Sequence, residues 1–467
     1  MRKFITRFSA VALLTAAFIF AAWQNTTLAQ GTTNANILGL VTDAKGEPLI
    51  GANVVATHLP SGTMYGVPTR EDGKFNLPNV RIGGHYKIEV TYTGYQTYLL
   101  ENFNLSLGQN FRLDIKLEES ASTLGEVTVL GQRSEILNSE RTGAATNIKK
   151  EAINALPTLS RSLNDFVRLT PQSRSSNVAE TTGSGTSFAG QDSRFNNLTL
   201  DGSIFNNSFG LASAPAGQTN SSPISLEAID EIQVNVAPYD VRQGGFTGAG
   251  INAVTRSGTN QIEGSVFYNT RSESLAGDEA NGVAVAKNDF SITQAGFRLG
   301  GPLIKNKLFL FVNGEIERRD DPATSWLASR PGVEGDNVTR VLASDLDQLK
   351  QFLSDKYDYN AGEYEGYLLE TYSDKILAKL DYNLNQSNRI SFRFNYLKSF
   401  RDVLASQSGA TQGRRDNAFA LNFSNSNYVI NNDIYSGIVE MNSILGSKFS
   451  NQVQLGFTAN RDYRSSN

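Results

Sequence analysis

The sequence predicts a mostly β protein in three successive parts: a small β-sandwich, a mixed α+β domain, and the first strands of a large antiparallel barrel that crosses a membrane. Three observations carry this expectation. The N-terminal part breaks into short alternating segments divided by Gly, Pro and Asp turns. The middle part mixes helical and strand periods with dense glycine. From Gln261 onward, segments of about ten residues alternate apolar and polar side chains between long polar loops.

The chain opens with Arg2, Lys3 and Arg7 before an apolar run from Val11 to Ala22, followed by Thr27-Leu28-Ala29. A basic start, a run too short to span a bilayer and a small-residue cleavage site make residues 1–29 a signal peptide, with mature protein expected near Gln30. The 467 residues contain no Cys and two His, His58 and His85. A disulfide scaffold and thiolate chemistry are excluded, and His-rich zinc sites and His-based triads have almost nothing to build on. The two histidines are expected on the surface. With a net charge of −4 and no Lys/Arg block, nucleic acid is not expected as a partner. No metal or cofactor is expected.

Residues 36–117 read as the sandwich. "ILGLVTDAKGEPLIGANVVAT" ends in turn residues, "TREDGKFNLPNV" carries a hairpin signal at Asp72-Gly73, and "HYKIEVTYTGYQTYLL" alternates again. The linker 118–139 holds Glu126-Val127-Thr128-Val129, a β-prone tetrapeptide between Gly125 and Gly131. It fits two roles: one more strand of the sandwich, or a free strand that adds to the sheet edge of a partner.

Residues 140–260 form the middle domain. Ile148, Ile153, Leu156, Leu159, Leu163, Phe166 and Leu169 recur at helical spacing and are interrupted at Pro157, which predicts two short amphipathic helices. Next comes "RFNNLTLDGSIFNN", a strand with a turn at Asp201-Gly202. A short helix, a strand Ile232–Val236, a loop with Gly244, Gly245, Gly248 and Gly250, and a strand Ile251–Thr255 follow. "GGFTGAG" is not followed by Lys-Ser/Thr and no strand opens into a helix there, so a phosphate loop is rejected; the glycines serve turns and close backbone approach.

In the third part, 261–467, strands are expected at 262–270, 289–300, 307–317, 373–384, 388–398, 432–444 and 449–459. Eleven residues at about 3.3 Å, tilted by about 45°, cover roughly 26 Å of membrane normal, the height of an outer-membrane apolar band. Tight connections ("GPLIKN", "NQS", "LGSK") alternate with the long loops 271–288, 318–372 and 399–431. In "NRISFRFNYLK" the alternation turns Phe392 and Phe394 to lipid and Arg393 into a polar lumen, to meet water or a carboxylate of the middle domain. A helix is expected within 337–360 of the longest loop. Tyr364 and Tyr367 could stack on sugar rings, with ordinary loop packing the plainer reading.

Two resemblances add to these readings. Gly39-x-Val41-x-Asp43, Gly46-Glu47-Pro48, Gly51-Ala52-x-Val54, Thr69, Asp72-Gly73-x-Phe75, Tyr86 and Gly94-Tyr95 resemble the carboxypeptidase-regulatory-like domain. This implies a transthyretin/Ig-like β-sandwich without peptidase residues. The ordered segments "LPTLSRSLNDFVRLTPQ", "NNLTLDG", "IDEIQV" and "GGFTGAGINAVTRSGTN" resemble the plug domain of TonB-dependent outer-membrane receptors, especially the Oar-like branch. The plug motif then falls on Asp201, Gly202, Gly244, Gly245, Gly250, Asn252 and Thr255, and the energy-coupling box on Glu126–Val129. Gln233 departs from the family, many members of which carry an acidic residue there.

The resemblance implies a receptor in the outer membrane of a Gram-negative cell, in contact with its lipid. It would take an external ligand (peptide, protein or glycan) through a plugged barrel, with energy from TonB and without bond-breaking chemistry. Alternatives are an Oar-like protein acting in adhesion or protein export, and a secreted enzyme with an accessory β-module. Seven strands cannot close around a plug of this size and "RDYRSSN" lacks a terminal aromatic, so the barrel is expected to be incomplete and the sequence an N-terminal fragment.

Overall fold

The computed structural model describes residues 31–120, 127–129, 145–158, 160–175, 185–207, 210, 212–238, 243–277, 279–284, 289–405 and 416–466. The expected signal peptide and Glu126 lie outside these residues. No described helix is long and apolar enough to cross a membrane.

The N-terminal part is a two-sheet sandwich. Ala35–Thr42 pairs with Lys74–Val80 and with the short strands Asn110–Arg112 and Ile115–Lys116. A second sheet runs in the order Thr63–Pro68, Asn53–His58, Gly83–Thr91, Tyr98–Leu105 and Val127–Val129. Strict alternation sends Ile37 and Val41, Val54 and Ala56, Ile88 and Val90 into one core. Asp72-Gly73 does turn the chain, with Gly73 at φ 70° and its N–H donating to the Arg70 carbonyl. It does not make the expected hairpin, however. The strands on either side of it belong to different sheets, so the turn is a corner of the sandwich. His58 corrects a second expectation, being buried in the sandwich while His85 is exposed.

The middle domain is a five-stranded sheet in the order Ala145–Lys149, Ile229–Asn235, Gly250–Thr255, Asn197–Leu200, Ser203–Ile204. Both short helices form, Lys150–Ala155 and Leu163–Val167, and the second is closed by a capping box between Ser162 and Asp165. Ile153, Leu163 and Phe166 enter the core. Leu156 and Leu169 are exposed, and Ile148 lies on a strand instead of a helix; Leu159 is outside the described residues.

The third part is an antiparallel meander of seven strands, Glu263–Ser272, Ser291–Ile304, Leu308–Pro322, Leu368–Asn383, Asn388–Val403, Tyr428–Leu445 and Phe449–Ser466, each paired with the next in sequence. Each expected segment lies within or against one of these strands, but most strands run further on the side of the long loops. The added residues are polar there: Arg319 pairs with Asp321 at 2.6 Å and Arg318 with Asp374 at 2.7 Å, an environment of water instead of lipid. The register holds Arg393 beside Ile438 and Lys379, on the face that carries the middle domain. Phe392 is 44% exposed on the opposite face and Arg393 only 1%. The inner face is less polar than expected. Phe311, Leu377, Leu397 and Ile434 point inward and join the core of the middle domain, because protein and not water fills that space.

In the longest loop the helix Ala343–Tyr357 forms as expected and buries Ala343 and Leu346.

Candidate functional site

Asp201 is the chemical centre of the contact between the middle domain and the barrel wall. It sits with Gly202 in a two-residue turn joining Asn197–Leu200 to Ser203–Ile204, at φ 46° and 78°, the paired left-handed geometry of a tight hairpin. Only glycine suits position 202. Its conformation is left-handed, and a Cβ there would meet the Gln454 amide of the barrel at 2.8 Å and the Gly31 carbonyl at 2.9 Å.

The Asp201 carboxylate accepts hydrogen bonds from the Thr255 N–H at 2.8 Å and hydroxyl at 2.6 Å. From the wall, Lys379 Nζ approaches to 3.8 Å and an Arg393 nitrogen to 3.5 Å. Lys379 also donates to the Thr255 carbonyl and hydroxyl, both at 3.1 Å, and Arg393 donates to the Ser436 hydroxyl at 3.3 Å. Burial opposes ionisation of Asp201. The Lys379 and Arg393 charges, with both Thr255 hydrogen bonds, outweigh it and hold the carboxyl below the ordinary carboxylate range.

The motif residues divide between two places. Asn252 stands near Asp201, accepting from the Thr199 hydroxyl at 2.8 Å and donating to the Thr32 carbonyl, so it ties the segment before the sandwich to the turn. Gly244, Gly245 and Gly250 lie at the other end of the strand Gly250–Thr255. The Gly244 carbonyl accepts from Asn197 at 3.2 Å, Gly245 has φ 78°, and a Cβ on Gly250 would strike the Phe246 ring at 2.9 Å.

Two further seats escaped the sequence reading. Glu227 bridges Arg161 at 2.9 Å and the wall residue Arg298 at 3.1 Å. Glu315 of the wall binds Lys375 at 2.6 Å and accepts from Ser225 of the middle domain at 2.5 Å. Their sequence signal was the placing of Glu315 and Lys375 on inward positions of strands, but periodicity does not say which inward charge finds a partner.

The sandwich sits at the end of the barrel with the short turns. Arg81 pairs with Asp381 at 3.3 Å, the Arg389 guanidinium lies 3.7 Å from the centre of the Tyr65 ring, Thr63 accepts from Asn383 at 2.9 Å, and Arg70 donates to the Ser447 carbonyl at 2.9 Å. His58 lies behind this contact, 2.6 Å from the Ser61 hydroxyl. Burial, with Arg81, Lys150 and His85 nearby, holds its pKa well below the usual imidazole value. A cavity of about 640 Å³ remains between sandwich, middle domain and wall, lined by His58, Asp230, Arg256, Asp381 and Ser391 among others.

Of the tetrapeptide, Val127–Val129 forms a strand parallel to Tyr98–Leu100, at the edge of the second sandwich sheet. The reading as one more strand of the sandwich is the arrangement observed. At the opposite end of the barrel Tyr364 is committed to loop packing. Its hydroxyl donates to Asp347 at 3.0 Å and its ring meets Phe423 edge-on. Tyr367 accepts from Asn427 at 3.3 Å. Among the described residues, no cluster of three or more His, Cys, Asp or Glu side chains could hold a metal ion.

Comparison with known proteins agrees with this geometry. Residues 36–118 match the carboxypeptidase regulatory-like domain, 138–251 the TonB-dependent receptor plug domain, and 254–337 an outer-membrane β-barrel domain. The chain is 26% identical over 383 residues to the TonB-dependent transporter Oar of Myxococcus xanthus, covering 78% of this chain and 33% of that protein. It therefore spans about a third of the length of that curated relative.

Among solved structures, the outer-membrane transporter YddB of Escherichia coli aligns with a TM-score of 0.47 and 16% identity over 69% of this chain and 40% of that one. The ferric enterobactin receptor of Pseudomonas aeruginosa aligns with a TM-score of 0.42 and 14% identity over 68% and 41%. Its three matched domains, in this order, make the chain similar to the TonB-dependent outer-membrane receptors, the Oar transporter among them.

Proposed function

We propose that the protein takes a ligand from outside the cell and admits it through the barrel when TonB, working from the inner membrane, moves the plug. The observation that carries this reading is the polar seat of the plug. Asp201 with Lys379 and Arg393, Glu227 with Arg298, and Ser225 with Glu315 join plug to wall. Such contacts are strong while dry, and each group they release can be solvated by water, so the plug can be held at rest and still leave.

Topology favours a pull from the N-terminal side. The linker enters the plug at Ala145–Lys149, an edge strand that among the described residues pairs only with Ile229–Asn235, starting at Ala145 opposite Asn235. Tension there separates one pair at a time instead of shearing the sheet. The handle for that tension is assigned to Glu126–Val129, which would leave the sandwich edge to pair with TonB by strand addition. The remaining motif residues, Gly244, Gly245, Gly250 and Asn252, are assigned to shaping the plug; contacts with the ligand, a peptide, protein or glycan, are assigned to the external loops and plug apex.

The test is a deletion of residues 124–131 in the full-length protein, alongside Thr128→Cys paired with cysteine-bearing TonB in living cells. The expected outcome is a thiol crosslink at position 128, and loss of depletion of peptides or oligosaccharides from the medium on deletion, with normal surface levels. Unchanged depletion and no crosslink would reject the assignment; cell adhesion retained without any uptake phenotype would favour an adhesin.

A further inference from the structure

The contact between sandwich and plug is more specific than two domains resting on each other. The turn Ser106–Gln109 follows the strand Tyr98–Leu105 and closes on itself, with the Gln109 N–H donating to the Ser106 carbonyl at 3.1 Å and the Ser106 N–H to the Gln109 side chain at 2.9 Å. Within it both backbone groups of Leu107 are held by side chains of the plug. The Leu107 N–H donates to Glu231 at 3.0 Å, and the Leu107 carbonyl accepts from Gln233 at 2.7 Å and from Asn147 at 3.3 Å.

Glu231 and Gln233 point to the same side because they are two apart on a strand. Asn147 braces both, donating to Glu231 at 2.8 Å and accepting from Gln233 at 3.2 Å, and Asn235 braces Gln233 at 3.0 Å. Glu231 and Gln233 are buried, as is Leu107 itself, and Val254 of the plug packs into the sandwich core.

This accounts for Gln233, the residue that departs from the family. The group facing the Leu107 carbonyl must donate, and a glutamate there would set a carboxylate against a carbonyl oxygen in a dry place. Gly108 fits the same requirement. It has φ 69°, and a Cβ would come within 3.2 Å of the Gln233 amide nitrogen.

We infer that Glu231 and Gln233 form a latch that reads the backbone of Leu107 and holds the sandwich as a lid over the short-turn mouth of the barrel, roofing the 640 Å³ chamber. Arg81–Asp381 and Arg389–Tyr65 are the rim contacts of that lid. The plug strand that grips Leu107, Ile229–Asn235, is the one paired with the entry strand Ala145–Lys149, so plug movement and lid release are coupled through a single strand.

The test uses the full-length protein in outer-membrane vesicles, without ligand or TonB, so its result is separate from that of the receptor reading. Residues 1–467 contain no cysteine, and with any cysteine of the remaining full-length protein replaced by serine, Ser391→Cys places a single thiol on the chamber wall. The probe is a polyethylene-glycol maleimide too large for the chamber. Labelling is expected to be slow in the parent and roughly tenfold faster with Gln233→Glu, the factor that loss of one good hydrogen bond gives. Glu118→Gln, at an exposed sandwich carboxylate, should leave the rate unchanged.

Hydrogen exchange of the parent supplies a second readout should Gln233→Glu fail to assemble: the Leu107 amide should exchange as slowly as the strand Ile229–Asn235. Fast parent labelling, or a Leu107 amide exchanging like an open loop, or a rate indifferent to Gln233→Glu in assembled protein, would each overturn the latch.

Discussion

Asp201 faces two cations, Lys379 and Arg393, in a place closed to water, and each of the three depends on the others. Removing the carboxylate strands both charges. Asp201→Ala is expected to cost about 3–5 kcal/mol, the usual penalty for breaking a buried pair, read as a lowered midpoint in denaturant titration of detergent-solubilised protein. Because its pKa is depressed, the stability it contributes is present above the ordinary carboxylate value and is lost as pH falls through the lowered one.

Glu231 behaves oppositely. Burial, with Asp230 adding to it against the Leu107 and Asn147 hydrogen bonds, raises its pKa to about 8. The folded protein then holds a proton that the unfolded chain has given up, so stability falls as pH rises from about 4.3, the ordinary glutamate value, to about 8. Glu231→Gln should flatten that slope in denaturation midpoints taken across the interval; an unchanged slope would remove Glu231 as its source.

At this scale the sequence was partly legible. That Arg393 turns inward follows from alternation, and that Asp201 belongs to the motif follows from resemblance. Their meeting could not be read, nor could Leu107 with Gln233, because periodicity fixes the side of a strand and not the partner across a domain boundary.

Among the elements, the strand Asn388–Val403 states its own constraint. Phe392 lies outside and Arg393 inside, and a shift by one residue would exchange them. Phe392→Arg should cost about 2–4 kcal/mol if it lies near the midplane of the bilayer, seen as a reduced fraction of heat-modifiable, membrane-assembled protein. A cation already stands outward toward the loop-side end of this strand at Lys398, which is exposed, so Lys398→Arg should assemble normally.

Seven strands were visible because alternation over ten residues is a strong signal. Their loop-side ends were not, since polar residues continue the ladder beyond the lipid without marking its edge. The corner at Asp72-Gly73 was misjudged as a hairpin for a related reason: turn chemistry specifies a reversal, while the two sheets are sorted by the core that forms around Ile37, Val54 and Ile88. The same limit applies to Val127–Val129. Its β-propensity was plain, but the free edge of Tyr98–Leu105 that receives it belongs to tertiary structure.

For the molecule as a whole, one face of a sheet holds a plug by polar and apolar seats while the other presents Val266, Ile376, Phe392, Leu455 and Phe457 outward. The order of sandwich, plug and barrel was readable from composition and motif order. That the sandwich closes the short-turn end of the barrel was not, because it rests on scattered pairs such as Arg81 with Asp381. The sidedness of the sheet is what makes the rest coherent. It is tested most directly by single nitroxide labels at 392 to 397, each placed through a cysteine in the full-length protein in lipid vesicles. Collision with dissolved oxygen should be high at 392, 394 and 396, low at 393, 395 and 397, and a water-soluble nickel chelate should reach none of the outward three. Free access of the chelate at 392 and 394 would mean that this face meets water, and would contradict the account.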